Sequence, residues 1–306
     1  MKLFAVIISV CIMEIGDCMV FFLLSYLSYM IQNFSNKAFN KKLETVTNGA
    51  LLVQNCGGTL IATIVLFLVG KFEFLSLEIM LFAAFYGIMY LFAIFFLLIA
   101  FTKGSIGGST LLCNTGMFMA AIYGIFAFGD EFTIYIGISI VLMFLSIVFL
   151  TSKNEDGKNF NFKWLSFGLL SGICNACLGI IKRLVVSKYS DNMQNFLAWG
   201  FLFATFTAVI LIIVSKQRRK DSLELLKTPK MLIYSVFTGL GNAGGNGFQM
   251  KSLLSVSSAI IYPLTSCTLT VSLWLASLVI YKESKLTVKN VLAIVFCITA
   301  IILMNV

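Results

Sequence analysis

At 306 residues, 59% hydrophobic and only 11% charged, with a mean hydropathy of +0.98, the chain excludes a soluble globular domain, in which about a quarter of the residues are charged. A membrane crossing takes about 20 residues, so the length accommodates about ten spans and leaves no room for a soluble catalytic domain. Against 22 Lys and Arg stand 13 Asp and Glu, with no His; this excludes His-based metal sites, Ser-His triads and His proton relays, and the basic residues are spread over short connections instead of forming one nucleic-acid-binding face.

In chain order, residues 1–18 come first. Their apolar stretch, 3–13, is too short to span and ends in Glu14 and Asp17, so it reads as a leader or surface segment. Apolar runs between polar breaks then predict spans at 19–36, 49–70, 78–101, 105–128 and 132–151, and again at 164–183, 195–214, 231–250, 255–280 and 288–305. The fold class expected is an all-α membrane protein of ten transmembrane helices in two five-helix halves, 19–151 and 164–306, joined by 152–163. The other long connection, 215–230, carries Lys216, Arg218, Arg219 and Lys220.

The halves match one another weakly but in order. Residues 50–71, ending at Lys71, lie over 196–216, ending at Lys216, at a shift of 145. Leu112, Cys113 and Asn114 lie over Leu264, Thr265 and Ser266, and Glu131 over Glu283, both at a shift of 152. Since each half holds an odd number of spans, the second must lie inverted, and inverted repeats are the signature of secondary transporters with a midplane substrate site.

Ten spans in two repeats, each closing on an apolar helix, an acidic turn (Gly129-Asp130-Glu131; Lys282-Glu283-Ser284) and a final apolar helix, resemble the EamA-like drug/metabolite transporter superfamily. The resemblance covers roughly residues 19–306. It implies a plasma-membrane carrier that moves a small metabolite or drug by alternating access, in contact with membrane lipids and without a cofactor. It also implies cytoplasmic termini. The charge distribution disagrees: Lys2, Lys71, Lys182, Arg183, Lys188 and Lys251 fall on one side and the other sixteen of the 22 basic residues on the opposite side, which by the positive-inside rule puts both termini outside. An eleventh span within the leader would return the N-terminus to the cytoplasm.

Ionisable groups within a membrane usually mark function, and here the acids fall at predicted span ends. Glu131 and Glu283 precede helices, where a carboxylate suits the positive dipole end; Glu14 is the one lone acid near the first span. Lys37, Lys182 and Arg183 read as interface residues, so a neutral, zwitterionic or weakly polar solute is expected. Gln32, Asn114, Asn175, Asn242 and Ser266 lie near span centres, with Gln54, Trp199, Asn246 and Tyr262 within a turn or two. Each amide buried in hydrocarbon needs a partner. Interhelical bonding would satisfy them singly, whereas their similar depth favours a shared substrate cavity, with Asn114 and Ser266 facing each other across the symmetry axis.

Other motifs have plainer readings. Gly239 to Gly244 fits the dinucleotide pattern GxGxxG but lacks the strand before it and the acid about 20 residues after it; close helix approach explains the glycines better. Pro263 predicts a kink near Tyr262 and Ser266. Cys174 and Cys177 form a CxxC two ligands short of a zinc site and read as core, and the glycosylation sequon at Asn33 and Ser35 lies at a predicted span end. No paired acid, metal cluster or nucleophile with a base supports an enzyme. The competing expectation is a membrane protein that binds or processes lipids without a transport cycle.

Overall fold

The computed structural model describes residues 16–43, 45–130, 133–151, 162–282 and 287–303. Glu14, Glu131 and Glu283, most of the expected leader and most of the central connection lie outside the described residues. Within them the chain is helical, with no strand.

Eleven α-helices follow in order: α1 (Gly16–Lys42), α2 (Asn48–Gly70), α3 (Leu77–Lys103), α4 (Ile106–Phe128), α5 (Ile134–Thr151), α6 (Phe162–Lys188), α7 (Met193–Val214), α8 (Lys216–Leu226), α9 (Pro229–Ser252), α10 (Ser258–Val279) and α11 (Val288–Leu303). Ten overlap the predicted spans, several of them running on past the apolar stretch. The eleventh, α8, occupies the basic connection after residue 215, where Ser215 caps it by accepting from the Arg218 amide. Its Ser222 and Leu225 are buried, and Ser222 donates to the Gly49 carbonyl of α2 at 3.3 Å.

Among the described residues six helices are long and apolar enough to cross a membrane: α2, α3, α4, α6, α7 with the short 3-10 turn before it, and α10. Their outer faces carry large apolar side chains that a water-soluble protein would bury: Leu68 is 80% exposed, Phe126 85% and Val214 78%. Such a continuous apolar exterior is stable only against lipid. Helices α1 and α9 are less apolar for a local reason. Each carries a polar stripe at helical spacing, Ser25, Tyr29, Gln32, Asn36 and Asn40 on α1 and Ser235, Thr238, Asn242, Asn246 and Gln249 on α9, and residues three or four apart share a face. These faces turn inward and α1 packs along α9. At about 1.5 Å per residue, both are long enough to cross a bilayer core.

The helices pair in a regular way. Besides α1 on α9, α3 packs on α6, α3 on α7, α2 on α9, and α2 on α7, α4 on α10 and α5 on α11. The last three pairs run antiparallel: Ser139 donates to Ala300 and Ser146 to Ala293 between α5 and α11, while Thr59 meets Thr205 and Asn195 donates to Gly70 between α2 and α7.

Close approach depends on glycine. A Cβ on Gly241 would stand 2.7 Å from the Ser28 carbonyl of α1, and one on Gly239 would stand 2.7 Å from the Gly58 carbonyl of α2. The GxGxxG glycines thus let α9 lie against both neighbours. Pro263 sits inside α10, which continues through it to Val279.

Candidate functional site: a polar cavity between the halves

At the centre is a cavity of about 70 Å³ walled by six helices, three from each half: α1, α3 and α4, and α6, α9 and α10. Pockets for drug-sized ligands take about 300–1,000 Å³, so in this conformation the cavity has room for a few waters and is small for a solute of that size.

Of the nine residues singled out from the sequence, Gln32, Asn114, Asn175, Asn246 and Ser266 line this cavity. Gln32 donates to the Tyr90 hydroxyl at 3.2 Å, and its own oxygen is buried without a partner. Asn114 donates to the Ser266 carbonyl at 3.3 Å and to the Thr270 hydroxyl at 3.2 Å, which leaves the Ser266 hydroxyl unpartnered. Asn175 donates to the Cys113 carbonyl.

The other four are elsewhere. Gln54 is fully buried between α2 and α9, where it donates to Thr238 and accepts from Ser235; it is an interhelical bond. Trp199 donates to the Glu73 carbonyl and packs edge-on and tilted among Phe67, Phe72 and Phe74 at the end of α2, an amphipathic ring anchored where apolar core meets polar connection. Asn242 stands behind the wall, accepting from Tyr90 at 2.5 Å. Tyr262 is also behind it, donating to the Gly179 carbonyl at 2.6 Å.

The sequence reading missed Tyr29, Asn33, Tyr90, Thr110 and Gln249, all of which line the cavity. Asn33 and Ser35 were expected at a span end, but α1 runs on to Lys42, so both are buried within the helix.

The larger correction concerns the cations. Lys182 is not an interface residue: it is 1% exposed, and its ammonium donates to the Asn246 side-chain oxygen at 3.2 Å and to that of Gln249. Lys37 is also buried and donates to the Phe101 carbonyl at 3.1 Å. Arg183 pairs with Asp130 at 2.6 Å and donates to the Leu253 carbonyl at 3.3 Å. Asp130 in turn accepts from the Ser258 amide at 3.0 Å, so a carboxylate at the start of α10 ties α4, α6 and α10 together, as the helix dipole favours. Tertiary packing draws these long side chains inward because the helix ends they belong to are longer than the apolar runs that announced them.

A cavity ringed by amides and hydroxyls inside a bundle whose outside is apolar marks a multi-pass integral membrane protein. Residues 162–306 match the model of the EamA-like transporter family; over that stretch the resemblance read from the sequence is shown, and the family is one of membrane transporters. No curated protein matches the chain. A solved structure described only as "Crystal structure of protein" aligns with a TM-score of 0.61 at 9% identity, covering 95% of this chain and 96% of that one; at such identity the likeness is one of fold.

Proposed function

We propose that the protein is a secondary transporter in which ten crossing helices form two inverted five-helix repeats and a small polar metabolite or drug binds in the central cavity, reaching either side by alternating access. One observation carries this reading: hydrogen bonds recur in both halves at constant shifts. Ser25 donates to the Gly245 carbonyl at 2.8 Å and Ser171 to the Ala93 carbonyl at 2.7 Å; Ser171 stands 146 positions after Ser25, and Gly245 stands 152 after Ala93. Lys37 on Phe101 and Arg183 on Leu253 are related by the same two shifts.

Residues on a two-fold axis must meet their own equivalents. Thr59 and Thr205, 146 apart, are bonded at 2.8 Å; Tyr90 and Asn242, and Asn114 and Ser266, each 152 apart, are bonded too. The antiparallel pairing of α2 with α7, α4 with α10 and α5 with α11 supports an axis in the membrane plane. The cavity then lies on that axis, and its uncharged lining suits neutral and zwitterionic solutes.

Counterflow in proteoliposomes tests the reading. Vesicles loaded with a candidate solute, chosen by thermal stabilisation of the purified protein, should accumulate the labelled solute from outside. Binding without counterflow would favour a lipid-binding protein, the reading to which an apolar crevice of about 470 Å³ between α2, α7, α8 and α9, with Arg219 on its wall, lends some support.

A further inference from the structure

We infer that the Lys182 ammonium, with the Gln249 amide and the Tyr29 hydroxyl, forms a docking site for a carboxylate of the transported solute. This rests on the carrier reading and shifts its substrate class from neutral solutes to those bearing an organic acid group, because Lys182 stands directly behind the uncharged lining.

The first observation is a buried lysine with no counter-ion. Removing an ammonium from water costs several kcal/mol unless it is paired, yet among the described residues no carboxylate lies within ion-pair distance of Lys182. Its neighbour Arg183 shows the alternative, since Asp130 neutralises that cation. Lys182 has only two neutral amide oxygens and the face of Tyr262, with its nitrogen 5.9 Å from the ring centre.

The second is a shortage of acceptors around it. The Asn246 side-chain oxygen accepts from Tyr29 at 3.1 Å, from Tyr86 at 3.0 Å and from Lys182 at 3.2 Å. The single hydroxyl proton of Tyr29 is shared between that oxygen and Gln249, also at 3.1 Å. An amide oxygen offers two lone pairs; three donors converge on this one. Meanwhile the Gln249 amide nitrogen is buried with no partner at all. The cluster therefore holds more protons to donate than oxygens to receive them, around a buried amine with no counter-ion. A carboxylate brings two oxygens, about four acceptor sites and the missing negative charge.

The third is position. Tyr29, Asn246 and Gln249 form part of the cavity wall, so the donors lie one side chain away from the chamber that a solute would enter when the helices part. On the α1 wall the side-chain oxygens of Gln32 and Asn33 are buried and unpartnered, and they can accept from the rest of the solute.

The experiment compares acids with isosteric amides. Purified protein is melted in the presence of propionate, lactate, benzoate and phenylacetate, each against its own primary amide, and the same compounds are run in counterflow. At least one acid should bind about tenfold or more tightly than its amide, because hydrogen bonds to a charged group are roughly twice as strong as neutral ones. Lys182→Met should erase that gap and Lys182→Arg should keep part of it. If Lys182→Met does not fold, Gln249→Met should narrow the gap several-fold. Equal binding of acids and amides throughout the panel, or a gap that survives in Lys182→Met, overturns the proposal. Counterflow of amides without preference for acids sinks the carboxylate site and leaves the carrier standing; an acid preference in binding with no counterflow keeps the site and sinks the carrier.

Discussion

Asn114 and Ser266, 152 residues apart in sequence, are joined at the centre of the molecule by a 3.3 Å hydrogen bond from the Asn114 amide to the Ser266 carbonyl. The bond links α4 to α10, and both residues line the cavity. Interhelical hydrogen bonds in membranes contribute about 0.6 kcal/mol on average. Asn114→Leu should therefore lower the melting temperature only slightly, while reducing solute affinity by about tenfold, or about 1.4 kcal/mol. A large loss of stability with unchanged affinity would assign Asn114 to the scaffold alone.

Gln54 and Trp199 supply the contrast. Both lie outside the cavity, so Gln54→Leu and Trp199→Phe should leave half-saturation for any transported solute within about twofold of wild type, whereas Asn246→Leu, which removes an oxygen accepting from three donors, should raise it by about tenfold or more. Uptake curves for the three variants check this; a strong effect at Trp199 would mean that the solute path reaches the aromatic cluster at the end of α2.

Arg183 and Asp130 should be coupled. Either Arg183→Met or Asp130→Asn alone leaves a largely buried charge without its partner, an arrangement that costs about 3 kcal/mol when burial is complete and less here, because the Arg183 side chain keeps 18% exposure. The double variant should be more stable than the sum of the single losses implies, by about 1–2 kcal/mol. Simple additivity in melting experiments would show that the pair is spectator to the α4–α6–α10 junction.

Glycine replacements on α9 should separate by position. Gly241→Ala puts a methyl 2.7 Å from the Ser28 carbonyl, so α1 and α9 must move apart, at a cost of about 1–3 kcal/mol. At Gly247 the nearest group is the Leu66 side chain at 3.8 Å, an ordinary contact. Gly247→Ala should be neutral or stabilising by up to about 1 kcal/mol, from helix propensity. Equal effects in thermal melts would contradict the close-approach account.

Helix positions were legible because lipid demands long apolar runs: among the described residues ten of the eleven helices overlap those runs, and six of them are long and apolar enough to cross a membrane. Helix α8 was not, because a short, basic, polar helix reads as a loop when only apolar length is scored. The cavity was half legible. Amides near span centres pointed to Asn114, Asn246 and Ser266, but depth alone could not separate them from Gln54, whose amide is consumed between α2 and α9. Face would have helped: Asn242, Asn246 and Gln249 fall at helical spacing on one stripe of α9, and Lys182 lies seven residues, or two turns, beyond Asn175. The inward turn of Lys182 was hidden because a lysine near the end of an apolar run has the same sequence signature whether it reaches for water or for a buried amide.

Helix α8 has a consequence for the transport cycle proposed above. Two identical halves would make the inward-open and outward-open forms related by the two-fold rotation and equal in free energy, so an empty carrier would divide its time evenly between them. The stretch linking α2 to α3 contains no helix, whereas the equivalent stretch after α7 contains α8, hydrogen-bonded to the start of α2 through Ser222 and Gly49. That added contact exists on one face only. In the proposed cycle it would break the degeneracy and give the resting carrier a preferred side from which to load.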